Sequence, residues 1–456
     1  MDYFSYYKSK LSPEQFEKLE TSLDKPFKKS IRINTLKISV EDFKELTKDY
    51  LQLEPIPWIK EGFFVDREDR SIPLGKSLLH FLGLFYIQEA SSMIPIETLS
   101  KITPEDTILD LAAAPGSKFT QVSAKAWELN AIIGNEPSGA RTSGLVSNII
   151  RLGIPNSVIL KHDPSTISKF LPNSFSKITL DAPCSGDGMI RRDKTAFSRW
   201  SFNKVKFQSG IQKRLIKEAF NLLKPGGELI YSTCTLTSEE DEDVISELLR
   251  TYPQAQASKI ELKPFEKNTT IRLWPYMFDT EGFFVAKITK IAETNLSIEP
   301  DRKPNKHKQT IKRPDYSLHK KKIEELKKIL LHFGFDILKL NGNLIEKNHD
   351  VWLCPNLDYK ISQNLNIVFQ GVAIGKFTNK EFVFNHQFVR TFGHLFKDNI
   401  IEVSEKEANI FMSGKDLTIN TSDGYKTLFY KKWPLGLCKA KDGILKNLLP
   451  RNLVSV

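Results

Sequence analysis

Cysteine is scarce in this chain: four in 456 residues, at Cys184, Cys234, Cys354 and Cys438. They are scattered and form no CxxC pair, so neither a disulfide framework nor a metal site is indicated. Such usage points to a reducing compartment. Long apolar runs are also missing, and none reaches the length a bilayer-spanning helix needs. The opening MDYFSYYKSKLSPEQFEKLE carries acids and lacks an apolar stretch, which argues against a secretory signal. No internal repeat stands out. These absences lead us to expect a soluble, cytoplasmic protein without a membrane partner, and nothing among them calls for an oligomer.

What is present is globular: 40% hydrophobic and 27% charged residues. The length exceeds what one ordinary core supports, so two or three domains are expected. The formal net charge is +11. That surplus favours a polyanionic partner, nucleic acid first and an anionic membrane second, although charge alone also fits a basic protein with neither.

From about Asp106 to Lys290 short apolar runs alternate with helical patterns. TILDL, AIIGNE, SVIL, KITL and ELIYS read as strands, and Ser138–Leu152 and Gln208–Leu223 as amphipathic helices. KPGG reads as a helix stop, and GFFVAKI as a last strand. The alternation predicts an α/β core with a mixed, mainly parallel sheet. Residues 1–100 are a mixed, polar α+β extension, expected to bind RNA. Residues 292–322 are rich in Lys, Arg and Pro and read as a basic linker. A helix is expected from Ile323 to Phe335, then short β-like runs to Val456, giving a small β-rich region over 323–456. The core is placed at 101–291.

The segment TILDLAAAPGSKFTQ puts a strand before a loop of small residues and then a helix. Small residues let backbone approach a ligand, and helix N-terminal amides bind polar groups. The pattern is neither GxGxxG nor GxxxxGK[ST], so a phosphate cradle is not the first expectation. Glu136 ends the next strand, where an acid can accept from a ribose diol. Asp163 ends the third, suited to an adenine amino group. Ligands of open parallel sheets bind beyond the carboxyl ends of the strands. These tips favour an adenosine-containing ligand, a dinucleotide or S-adenosylmethionine.

The fourth strand ends in LDAPCSGDGM, with Asp181 and Cys184, and the fifth in YSTCTLTSEE, with Cys234. An isolated Cys is most often a small buried hydrophobe. Two of four at one ligand edge point instead to thiol chemistry. C5 of cytosine is not nucleophilic; a thiolate adding to C6 makes C5 enamine-like and able to attack a methyl sulfonium. A carboxyl beside N3, the place Asp181 suits, would share a proton with the ring. Spacing alone lets either thiol attack.

DLAAAPGSK, DAPCSGDG and STCT together resemble the Sun (Fmu) family of RNA cytosine-5 methyltransferases. QEASSM at Gln88–Met93, RLWPYMFDTEGFFVAKI at Arg272–Ile288 and KKWPLGLCKAKDGILKNLLPRNL near the C-terminus extend the resemblance over nearly the whole chain. It implies a Rossmann-like class I methyltransferase core. It implies S-adenosylmethionine held by Ala112, Ala113, Ala114, Pro115, Gly116, Ser117 and Lys118 with Glu136, Asp163 and Asp181. It assigns Cys234 as nucleophile, Cys184 to product release, and the C-terminal extension to a PUA-like, RNA-binding domain. The extension is similar to the bacterial RsmF type, whose substrate is small-subunit ribosomal RNA. The same chemistry on transfer RNA, or a non-catalytic RNA-binding assembly factor, is the alternative. The chain departs from the family's pattern with AAA in the loop, Ser117 where many members have Gly, and Tyr276 where His is common.

Basic and aromatic residues are expected along the RNA approach. Arg191 and Arg192, directly after the DAPC segment, are candidates for phosphate contacts. Lys431, Lys432 and Trp433 are candidates for an RNA-binding face.

Overall fold

The computed structural model describes residues 2–294, 317–347, 349–357, 361 and 364–454. Most of the expected basic linker, 295–316, lies outside the described residues.

The N-terminal region opens with the helices Tyr3–Lys10 and Pro13–Leu23, and then forms an antiparallel sheet. Its strands are β1 (Ser30–Ile33), β2 (Gln52–Pro55), β3 (Gly62–Asp66) and β4 (Phe85–Ile87), in the order β2-β3-β1-β4.

The central region is built on β5 (Ile108–Asp110), β6 (Ile132–Asn135), β7 (Ser157–Leu160), β8 (Phe175–Asp181), β9 (Leu223–Thr233), β10 (Ala255–Ala257), β11 (Thr270–Leu273) and β12 (Phe283–Lys290). β5 to β9 pair parallel, and β12 runs antiparallel beside β9. Helices cover both faces, so the parallel strands are apolar throughout, as SVIL shows with all four residues buried. Leu109, Ile178, Leu229 and Phe284 from four of these strands share one core cluster.

Three details differ from the sequence reading. The second amphipathic helix runs from Phe202 to Leu222, capped by Ser201, whose side chain accepts from Lys204 N. KPGG then lies within the start of β9 and is not a loop after the helix. The helix expected from Ile323 begins at Lys320, inside the expected linker, because His319 caps it through Lys321 N.

The C-terminal region supplies β13 (Asn343–Lys347), β14 (Asp350–Cys354), β15 (Ile367–Gln370), β16 (Val372–Phe377) and β17 (Phe382–Phe384), then β18 (Ile400–Glu402), β19 (Leu417–Thr418), β20 (Gly424–Tyr430), β21 (Trp433–Lys441) and β22 (Ile444–Asn447). Two sheets result, β13-β14-β16-β17 and β18-β20-β21-β22-β19. β15 joins neither. It pairs antiparallel with β7 and becomes the far edge of the central sheet, whose order is β10-β12-β9-β8-β5-β6-β7-β15 with β11 beside β12.

The two ends of the chain share a core. Ile31, Phe43, Phe63 and Phe85 pack in one apolar cluster with Phe411, Leu428, Trp433 and Leu435. Burying side chains of this size contributes about 2 kcal/mol each, which fastens the first region to the last. Among the described residues no helix is long and apolar enough to cross a membrane.

Candidate active site

The strand tips singled out above meet on one edge of the central sheet. β6 and β7 lie on one side of β5, and β8 and β9 on the other. The crevice beyond such a reversal is where open parallel sheets bind ligands.

The loop Ala112–Lys118 leaves β5 at that point. Ala113, Ala114, Gly116 and Lys118 are buried, Ala112 and Ser117 half-buried, and Pro115 exposed. Gly116 has φ 109°, and a Cβ there would come within 2.9 Å of Leu145. The backbone conformation is one that side-chain-bearing residues rarely adopt. Arg141 Nη2 donates to Ala114 O at 2.6 Å and steadies the loop.

Glu136 follows β6 and is buried. Its Oε1 accepts from Ser138 N at 2.9 Å. Its Oε2 lies 3.3 Å from Arg141 Nη1 and accepts no hydrogen bond among the described residues. A buried acceptor left open in this way suits a ligand hydroxyl. Asp163 follows β7 and caps the helix Pro164–Phe170, accepting from Ser165 N at 3.0 Å. Hydrogen bonds from Ser165 hold its carboxyl below the ordinary range.

Asp181 ends β8. Its Oδ2 is 2.7 Å from Lys118 Nζ, and its Oδ1 accepts from Ser232 Oγ at 2.8 Å. Lys118 also donates to Ser92 Oγ at 3.2 Å. The lysine of the small-residue loop thus pairs with the acid of the DAPC segment. Ser92, Ser232 and Asp110 were not picked out from the sequence. Asp110, the last residue of β5, is fully buried, and burial raises its carboxyl to about 7 against the pull of Lys118. Its place at the end of TILDL was the available signal.

Cys184 follows β8 and Cys234 follows β9, with Sγ atoms 3.1 Å apart and both residues half-buried. The hydrogen bond with Cys234, and then burial, push the Cys184 thiol well above its ordinary value. Cys184 therefore keeps its proton near neutral pH. The two loops touch through backbone: Gly188 N donates to Cys234 O at 3.0 Å. A Cβ on Gly188 would fall 2.4 Å from Gly282 O, so only glycine permits this approach.

The RNA-contact candidates fare unequally. Arg191 departs from expectation: its side chain is fully buried. It donates to Thr280 O at 2.9 Å, Pro26 O at 2.8 Å and Asp279 Oδ1 at 2.6 Å, tying the N-terminal region to the core. Arg191→Ala is expected to destabilise the fold by about 2–4 kcal/mol, by orphaning buried carbonyls and breaking the ion pair, without changing the salt dependence of RNA binding. Thermal unfolding and a salt titration of RNA affinity check both halves. Trp433 also departs: it is buried, and its Nε1 donates to Lys37 O at 3.0 Å. Lys432 is exposed but sits 2.6 Å from Asp42. This corner faces the N-terminal region, and its exposed members are Lys431 and Lys432 on the β20–β21 turn. Arg192 is exposed.

Three family profiles match in order along the chain. They are described as the N-terminal domain of 16S rRNA methyltransferase RsmF at residues 1–90, 16S rRNA methyltransferase RsmB/F at 97–289, and the methyltransferase RsmF PUA domain at 398–455. Ribosomal RNA small subunit methyltransferase F of Aeromonas salmonicida (strain A449) is 34% identical over 470 residues, covering 99% of this chain and 97% of that protein. The chain belongs to the ribosomal RNA small subunit methyltransferase F family. The protein of that name from Shewanella piezotolerans (strain WP3 / JCM 13877) is 36% identical over 446 residues, covering 94% of this chain and 92% of that protein. A solved methyltransferase homolog from Pyrococcus horikoshii is similar at 34% identity and TM-score 0.54, over 61% of this chain and 92% of that one. The structure of NSun6 from Pyrococcus horikoshii with SFG shares the fold at 24% identity and TM-score 0.56, over 64% of this chain and 98% of that one. In this methyltransferase F family member the profile at 97–289 spans β5 to most of β12, and the PUA profile spans β18–β22. The two cysteines and the strand-tip acids all fall within the former.

Proposed function

We propose that this RNA cytosine-5 methyltransferase modifies C5 of one cytidine in small-subunit ribosomal RNA, with Cys234 as covalent nucleophile and Cys184 as its partner in release. The observation that carries the reading is the pair of thiols 3.1 Å apart, beside Asp181, on the cofactor edge of the sheet. S-adenosylmethionine, when bound, supplies an electrophilic methyl group. The open Oε2 of Glu136 suits its ribose, Asp163 its adenine, and the Ala112–Lys118 backbone the groups between.

The residues of the chain divide the remaining work. The Cys234 thiolate adds to C6 of the cytosine, and the ring's electrons become available at C5. The proton shed by the Cys234 thiol goes to N3, and Asp181, held in place by Lys118 and Ser232, accepts the N3–H hydrogen bond and stabilises the adduct. Once C5 carries the methyl group, H5 leaves to a base such as water. The C5–C6 double bond re-forms and the C6–S bond breaks, its electron pair returning to Cys234. The protonated Cys184 donates a hydrogen bond to the departing thiolate.

RNA is the macromolecular partner, with Arg192, Lys431 and Lys432 as surface candidates for phosphate contact. The protein works as a cytoplasmic monomer divided at 1–100, 101–291 and a C-terminal region that opens with the helix Lys320–Leu331. Bisulfite sequencing of ribosomal RNA from cells with and without the protein tests this reading. One protected cytidine in 16S RNA should become convertible when the protein is absent. No change in 16S RNA would overturn the target, and a change confined to transfer RNA would replace it.

A further inference from the structure

The nucleophile's loop is held from a distance. Tyr7, in the N-terminal helix Tyr3–Lys10, is buried, and its hydroxyl donates to Asp187 Oδ2. Asp187 belongs to the loop after Cys184 and is also buried. Its Oδ1 accepts from Thr235 Oγ1 at 2.5 Å and from Leu236 N at 3.0 Å. Thr235 and Leu236 are the two residues after Cys234. The single proton of Thr235 goes to Asp187, so Ser185 Oγ, 3.0 Å away, donates to Thr235. Ser185 directly follows Cys184. One carboxylate and one hydroxyl thus connect the residues next to both thiols. The neighbouring Tyr6 hydroxyl donates to Glu239 further along the same loop.

Packing alone does not call for a tyrosine at position 7, since phenylalanine fills the same apolar space. Burying a hydroxyl and a carboxyl costs free energy unless each is matched, and here three donors converge on an acceptor-only group. That arrangement has a direction, from the N-terminal helix to the loop that bears the nucleophile. Tyr7 is itself buried and lies edge-on to Trp274.

We propose that Tyr7 and Asp187 are positioning residues of the methyl transfer, holding Cys234 in its attacking geometry through the Tyr7–Asp187–Thr235 chain. The proposal rests on the reading of Cys234 as nucleophile. It gives the N-terminal region a task in the chemical step that is separate from binding RNA.

The charges around Asp187 decide its pH behaviour. Tyr3 and Tyr7 face it from the helix, Thr235 and Leu236 from the loop after β9, and Arg272 and Glu240 from further off. Burial raises its carboxyl, while the hydrogen bonds from Thr235, Tyr7 and Leu236 and the charge of Arg272 pull it back. Removing the Tyr7 hydroxyl removes one of these pulls. Asp187 then protonates at higher pH, and its hydrogen bonds from Thr235 and Leu236 weaken there.

The test compares the full-length wild type with Tyr7→Phe and Asp187→Asn. For Tyr7→Phe, kcat should fall about tenfold or more, since displacements of an ångström at a reacting atom cost factors of this size. KM for RNA and for the cofactor should stay unchanged, and the acid limb of the pH–rate profile should move to higher pH. Asp187→Asn should lower kcat further, because the amide cannot accept from all three donors. An unchanged kcat with an unmoved acid limb in Tyr7→Phe would overturn the proposal, as would a rise in KM that accounts for the whole loss. Amide hydrogen exchange of residues 234–238 is read in parallel. Faster exchange at Leu236 in Tyr7→Phe supports the chain, and identical exchange refutes it. Should the wild type make no 5-methylcytosine, the reading of Cys234 falls instead, and exchange at Leu236 decides whether Tyr7 orders this loop.

Discussion

Replacing Cys234 by alanine is expected to abolish 5-methylcytosine formation, by at least about a thousandfold, while RNA binding persists. The size of the loss follows from the chemistry. Without a sulfur on C6, the C5 carbon never gains enamine character, and no neighbouring group restores it. Cys184 is nearest but keeps its proton, because its burial opposes ionisation. RNA binding should survive because the substitution is small and the loop is held by other groups: Asp187 accepts from Thr235 and Leu236, and Gly188 donates to Cys234 O from backbone to backbone. Single-turnover methylation and a filter-binding titration on the same protein check the two halves. Residual methylation within tenfold of wild type would remove Cys234 from the mechanism.

The second large effect concerns release. Cys184→Ala is expected to let a covalent protein–RNA adduct accumulate, seen as a slow band on a denaturing gel, with turnover falling by roughly a hundredfold or more. The leaving sulfur of Cys234 departs as a thiolate, and Cys184 is the donor positioned 3.1 Å away to receive it. With alanine there, addition at C6 still proceeds, but elimination loses its hydrogen bond and slows. The double variant C184A/C234A should show no band. A band that persists in the double variant would mean that another residue bonds to the RNA.

Much of this site is legible in the amino-acid sequence. The cysteines and acids sit directly after short apolar runs, and a parallel sheet delivers such positions to one edge whatever the intervening helices do. What escaped had partners far away in sequence. Arg191 looks like a phosphate ligand because it follows the DAPC segment, but Pro26 O and Asp279 capture its guanidinium. Trp433 looks like a stacking platform, but the carbonyl of Lys37 takes its indole N–H and the shared core of the two chain ends takes its ring. Lys118 reads as a cofactor lysine, and only the fold shows it bonded to Asp181. The hydrogen bond from Tyr7 to Asp187 spans 180 positions and has no local signature. Composition names the kind of group at each place; tertiary contacts decide whether it faces solvent.

The strand β15 carries a consequence for how the molecule comes into being. β7 has all four residues buried, and its outer hydrogen-bonding groups are met by Ile367–Gln370. During synthesis β7 leaves the ribosome long before β15 exists. Until then the nascent central sheet presents an apolar strand with an open rim, the sort of rim that recruits foreign strands. The late arrival of β15 closes it. Folding of the catalytic sheet is therefore finished by a segment from beyond the linker, and no sheet with unpaired β7 is the native one.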